Sequence, residues 1–146
     1  MKAELTALFQ RLVDELPPGA ATVEVSRATE HKPTVISLRP ANPAAAEFYV
    51  VLAGLDNVVD SVGFGVHQWE FPYERRYRKN EKDILTEIEE MSRAVVAGNC
   101  EQERRRFSII GRIAVEDYTY SVGAMPKFCK PPFGTRRYAS YLQRNA

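Results

Sequence analysis

The stretch Gly63-Phe64-Gly65-Val66-His67-Gln68-Trp69-Glu70-Phe71-Pro72-Tyr73 gathers the residue types best able to meet a ligand. In an extended strand alternate side chains share a face, so Gly63, Gly65, His67, Trp69, Phe71 and Tyr73 would project to one side. Two glycines followed by an imidazole and three rings make a shallow floor walled at one end. There His67 could hold or pass a proton, and Trp69 could stack on a flat ligand or a partner's backbone. A structural reading competes with this one. Glycines inside a strand often mark a bulge or the close passage of a helix, and aromatic rows are usually core. A bulge at either glycine would also send the later residues to the other face.

A second chemistry belongs to three basic clusters, Arg75-Arg76-Tyr77-Arg78-Lys79, Arg104-Arg105-Arg106 and Arg136-Arg137-Tyr138. Guanidinium groups interleaved with tyrosine can grip phosphates and stack on bases, or anchor a protein interface. Adjacent arginines on a strand face opposite ways, and Glu101 and Glu103 precede the second cluster, so cross-strand pairing with acids is expected there. The first cluster precedes a helix surface carrying Glu87, Glu89 and Glu90, which suits a solvated, charge-paired face. Local net charge is −4 over residues 1–70, 0 over 71–100 and +5 over 101–146. The pI near 7.8 lacks the strong basic excess of a dedicated nucleic-acid binder.

Other chemistries find less support. The chain has two histidines; His67 and Glu70 would point to opposite faces of a strand, and no His-Glu-x-x-His pattern exists, so neither a metal nor a cofactor is expected. No Gly-x-Ser-x-Gly elbow occurs, and neither Cys100 nor Cys129 has a histidine nearby in sequence. Cys129 sits between Lys127 and Lys130, whose charges would favour a thiolate, but no base is identified for it. The glycines do not spell a phosphate-binding loop.

The elements that must position these residues follow from periodicity. Leu5, Leu8, Phe9, Leu12, Val13 and Leu16 form one apolar helical stripe, which Pro17-Pro18-Gly19 stops. Ala21, Val23 and Val25 alternate with polar residues, and Thr34 to Leu38 follows across Glu30-His31-Lys32-Pro33, a β-hairpin pattern. Phe48 to Leu52 is continuously apolar and suits a strand near the middle of a sheet; a fourth strand is expected from Val58 past Val66. Asn80 is a fitting N-cap for a helix bearing Ile84, Ile88, Met91 and Val95, with Gly98-Asn99 as its stop. Phe107 to Val115 and Tyr118 to Val122 read as two strands turned at Glu116-Asp117. Tyr138, Tyr141 and Leu142 fall at helical spacing after the loop Lys130 to Gly134.

At 146 residues, with 45% hydrophobic and 27% charged side chains, the composition is that of an ordinary globular protein. The pattern predicts one α+β domain over 1–146: a mainly antiparallel sheet of about six strands with two helices packed on one face. Residues 125–146 form a surface-wrapping tail ending in a short helix. No secretory pattern opens the sequence and no apolar run approaches bilayer length, so a cytoplasmic location without membrane contact is expected.

With no catalytic signature, the sequence points first to a non-catalytic interaction module whose partner is another protein. The binding residues expected are Gly65, His67, Trp69, Tyr73, Arg75, Arg76 and Tyr77, a concentration of aromatic and arginine side chains typical of interface anchors. Two alternatives stand beside it: a small-molecule site or enzyme near Gly63, His67 and Trp69, and an anion- or nucleic-acid-binding protein.

Overall fold

The computed structural model describes residues 1–26, 33–53, 58–65, 70–72, 80–124, 129 and 131–142, with backbone alone at 70–72 and 122–124. Helix α1 spans Lys2–Asp14 and buries Leu5, Leu8, Phe9 and Leu12, each contributing about 1.5–3 kcal/mol through the apolar area it removes from water. Gly19, with φ of +82°, turns the chain into β1 after the prolines.

Strands β1 (Ala21–Ser26), β2 (Thr34–Pro40), β3 (Phe48–Ala53), β4 (Val58–Phe64) and β5 (Glu70–Pro72) form an antiparallel meander in which each strand pairs with the next. The register lines up Val23, Leu38, Phe48 and Phe64 in one row, and Val25, Ile36, Val50 and Val62 in the next. Helix α1 lies against β1 and β2, and Phe9 meets Phe48 edge-on with ring centroids 5.9 Å apart. The register shifts between Val51 and Leu52, which pair with Ser61 and Val59, so Asp60 is an extra residue. That bulge lets Val59 and Val62, three positions apart, both be buried in the core.

Helix α2 (Glu81–Val96) is capped by Asn80, whose side-chain oxygen accepts from the Asp83 backbone N–H at 2.9 Å. Ile84, Ile88, Met91, Ala94 and Val95 are buried, and the helix packs against α1 and against β7 of the second sheet. That sheet runs β8-β7-β6-β9, from β6 (Cys100–Arg104), β7 (Ile109–Val115), β8 (Tyr118–Ala124) and β9 (Gly134–Arg137), all antiparallel. Glu116, at φ of 44°, makes the β7–β8 turn.

The fold is therefore α+β and antiparallel as the sequence predicts, but the single sheet of about six strands is corrected to a five-stranded and a four-stranded sheet. The helices do not share one face either, since each lies against a different sheet. Two strands escape a periodicity search because they are polar on both faces: Cys-Glu-Gln-Glu-Arg in β6 and Gly-Thr-Arg-Arg in β9. Nor are residues 138–142 helical. Tyr138 and Tyr141 are buried in the core that joins the two sheets. The Tyr141 hydroxyl donates to the carbonyls of Ala46 at 2.7 Å and Leu38 at 3.2 Å, while the Tyr141 N–H donates to Val96 O at 2.9 Å. A buried tyrosine needs such partners, and the seam between the β2–β3 connection and the end of α2 supplies them. Among the described residues no helix is long and apolar enough to cross a membrane.

Candidate functional site

Of the residues expected to bind, His67, Trp69, Tyr73, Arg75, Arg76 and Tyr77 lie outside the described residues. Gly63 and Gly65 are described, and they revise the one-sided floor. Strand β4 ends at Phe64, and β5 runs back along it with Gly63 opposite Glu70 and Val62 opposite Phe71. Because β5 runs back antiparallel along β4, a single extended run through Gly63 and Phe71 does not exist.

Gly65 has a packing reason to be glycine. Its φ is +96°, its N–H donates to Glu47 O at 2.9 Å, and an added Cβ would stand 2.6 Å from the Tyr138 hydroxyl oxygen. It also borders a hollow of about 330 Å³ on the first sheet, shared with Ser37, Arg39, Asn42, Glu47 and Tyr49. Here Arg39 is ion-paired with Glu24 and lies 3.6 Å from Glu47. The Glu47 charge, then the Glu24 hydrogen bond, hold its proton more tightly than usual. The charges in this hollow are largely satisfied by one another.

A different constellation arises in the second sheet, because β6 pairs with β9. Gln102 stands opposite Arg136 and Arg104 opposite Gly134, so two basic clusters separated by 30 positions in sequence become neighbours. The outer-face acids are consumed locally. Arg112 reaches Glu101 at 3.4 Å and Glu103 at 3.0 Å, Arg105 meets Glu103 at 2.9 Å, and Arg137 lies 3.5 Å from Glu101. Hydrogen bonds from Arg105 and then Arg112 hold the Glu103 carboxyl below its ordinary range. Of the second cluster, Arg105 pairs with Glu103 of its own segment, whereas the cross-strand pairs to Glu101 and Glu103 come from Arg112 and Arg137.

Arg106 and Arg136 have no carboxylate partner among the described residues; their contacts are aromatic. The Arg106 guanidinium lies 5.3 Å from the Phe107 ring centroid, and that of Arg136 lies 5.0 Å from the Tyr138 ring centroid. The β6–β7 turn closes when Arg105 N–H donates to Ser108 O at 2.8 Å, and Cys129 N–H donates to Arg106 O at 2.9 Å. Phe107 is 55% exposed and Phe133 49% exposed at this end of the sheet. One sheet end thus combines two arginines without acids and two half-exposed rings.

Beneath it, Gln102 is 4% exposed. Its Oε1 accepts from the Tyr138 hydroxyl at 3.1 Å, while its Nε2 has no partner among the described residues. Sequence reasoning missed Gln102, Phe107 and Phe133. The available signal was charge complementarity: alternate acids in Glu101-Gln102-Glu103 match the arginines of a strand still to come. The thiols offer little chemistry: both are buried, and burial pushes Cys100 up to about 12. No group of three or more acidic, histidine or cysteine side chains able to hold a metal occurs among the described residues. Compared with models of protein families, with curated proteins and with solved structures, the chain matches none.

Proposed function

We propose that this chain is a non-catalytic, cytoplasmic binding module whose partner is another protein with an acidic surface. The observation that supports it is the β6–β9 pairing, which sets Arg104, Arg106 and Arg136 beside the half-exposed rings of Phe107 and Phe133. Arginine and aromatic side chains are enriched at interface anchors, because a flat ring or guanidinium buries much area at a small cost in rotamer freedom. The acids of the same sheet are taken up by Arg105, Arg112 and Arg137, and Arg106 and Arg136 are left without a carboxylate among the described residues. In this reading His67, Trp69, Tyr73, Arg75, Arg76 and Tyr77, which lie outside the described residues, are further candidate binding residues, while Gly65 is buried against Tyr138.

The test is a photo-crosslinking amino acid at position 107 or 133, with position 118, another exposed aromatic, as control. Protein adducts from 107 and 133 but not 118 support the reading; equal yields from all three, or none, reject it. A second reading rests on the hollow beside Gly65, Ser37 and Tyr49, sized for a small molecule. A ligand whose thermal stabilisation is lost in Tyr49→Ala would favour it. Nucleic-acid binding remains the third; it requires steeply salt-dependent retention on single-stranded DNA.

A further inference from the structure

Between β6, β9 and the Pro131-Pro132 bend lies a hollow of about 250 Å³, lined by Gln102, Arg104, Phe133, Thr135 and Arg136 among others. Its chemistry is one-sided. Gln102 lines it with a carboxamide whose oxygen is occupied by Tyr138 and whose buried nitrogen carries two N–H groups without an acceptor among the described residues. A buried donor left unmade is destabilising, and an incoming acceptor would remove that cost. Arg104 and Arg136 line the same space, and among the described residues no acidic side chain does. The Arg136 guanidinium carbon lies 5.0 Å from the Tyr138 ring centroid, and a guanidinium carries five N–H donors, more than one ring contact occupies.

We infer that this hollow takes a single carboxylate, carried by an aspartate or glutamate side chain of the partner protein, with Gln102 Nε2 and the Arg136 guanidinium as its donors. The inference rests on the binding reading above and specifies what that surface recognises. A carboxylate is acceptor-only, planar and anionic, which matches an amide and a guanidinium that line one small space. A phosphodiester strand fits less well. It calls for a row of cations, whereas the reverse face of β6 carries Glu101 and Glu103 and the whole chain has a net charge of only +1.

The experiment titrates the full ¹⁵N-labelled chain with a capped hexaglutamate peptide, with its hexaglutamine counterpart, and with an oligothymidine strand. Hexaglutamate should shift the Gln102 side-chain amide pair while hexaglutamine does not. Gln102→Glu and Arg136→Gln should each weaken binding by about tenfold, the scale of one charge-assisted hydrogen bond. Arg136 is exposed, so its variant keeps the test decisive should Gln102→Glu fail to fold. Hexaglutamate binding that survives both variants but is lost in Phe107→Ala/Phe133→Ala overturns the carboxylate hollow and leaves the acidic-partner reading standing. Oligothymidine binding in place of hexaglutamate overturns both. Binding of neither probe overturns the hollow, while crosslinking at 107 and 133 decides the broader reading separately.

Discussion

Tyr138 meets Gly65 where a side chain on residue 65 would have to be: a Cβ there would lie 2.6 Å from the phenol oxygen, which meanwhile donates to Gln102. Gly65 also holds a φ of +96°. Gly65→Ala should therefore destabilise the chain by about 1–3 kcal/mol, from backbone strain and from the displaced ring. Urea unfolding of Gly65→Ala in wild-type and Tyr138→Phe backgrounds checks it. The cost should be smaller where the hydroxyl is gone, and equal costs would show that the contact carries no part of it.

Gly98 has a harder neighbour. At φ of +82° its Cβ would stand 2.6 Å from the backbone nitrogen of Ser140 and 2.9 Å from the carbonyl carbon of Ala139. Backbone cannot rotate aside as a side chain can. Gly98→Ala should cost more than Ala97→Gly, which loses only about 1 kcal/mol of helix propensity near the end of α2. Thermal unfolding of the two variants in parallel gives the comparison.

Tyr141→Phe deletes the hydroxyl that serves two carbonyls, Leu38 and Ala46, and leaves both without that donor. The expected loss is about 1–3 kcal/mol, and the lost protection should be local. Amide exchange should accelerate at the β2–β3 connection while α1 and β8 keep their rates; uniform acceleration would mean that the hydroxyl does not pin this seam.

Stability should fall on the alkaline side. Burial raises the Cys100 thiol from 9.0 to about 12, and burial, then the charges of Cys100 and Glu47, raise the Tyr141 phenol above 10.0. Above pH 9.0 the unfolded chain releases the thiol proton while the native fold must keep it. The contribution is complete below that pH and is lost as pH climbs toward 12, at up to about 1.4 kcal/mol per pH unit for one group. Urea midpoints measured against pH should decline above 9.0 and decline less steeply in Cys100→Ala; identical slopes would reject burial of the thiol as the cause.

What could be read beforehand divides by physical kind. Leu5 to Leu12 and Ile84 to Val95 announce helices because burial repeats with the helical turn. Phe48 to Leu52 announces a central strand because both its faces are covered. Strand β9 was not legible: Thr135, Arg136 and Arg137 are all exposed, and only pairing with β6 makes them a strand. The helical spacing of Tyr138, Tyr141 and Leu142 misled for a related reason, since the two tyrosines are buried by distant partners and not by a helix of their own. The arginine-rich sheet end depends wholly on that long-range pairing, so its members were visible singly and its geometry was not.

The seam closed by Tyr141 also sets an order of events during synthesis. Leu38 emerges early, yet the hydroxyl it accepts from belongs to a residue 103 positions later, and α2 likewise meets the backbone of Tyr141 only at its end. Until Tyr141 is clear of the ribosome, the carbonyls of Leu38 and Ala46 lack this donor, and closing the seam joins residues far apart in sequence. Chains stalled with Tyr138 and Tyr141 still inside the ribosome should be cut readily by protease, and chains stalled behind a C-terminal linker long enough to expose Leu142 should not.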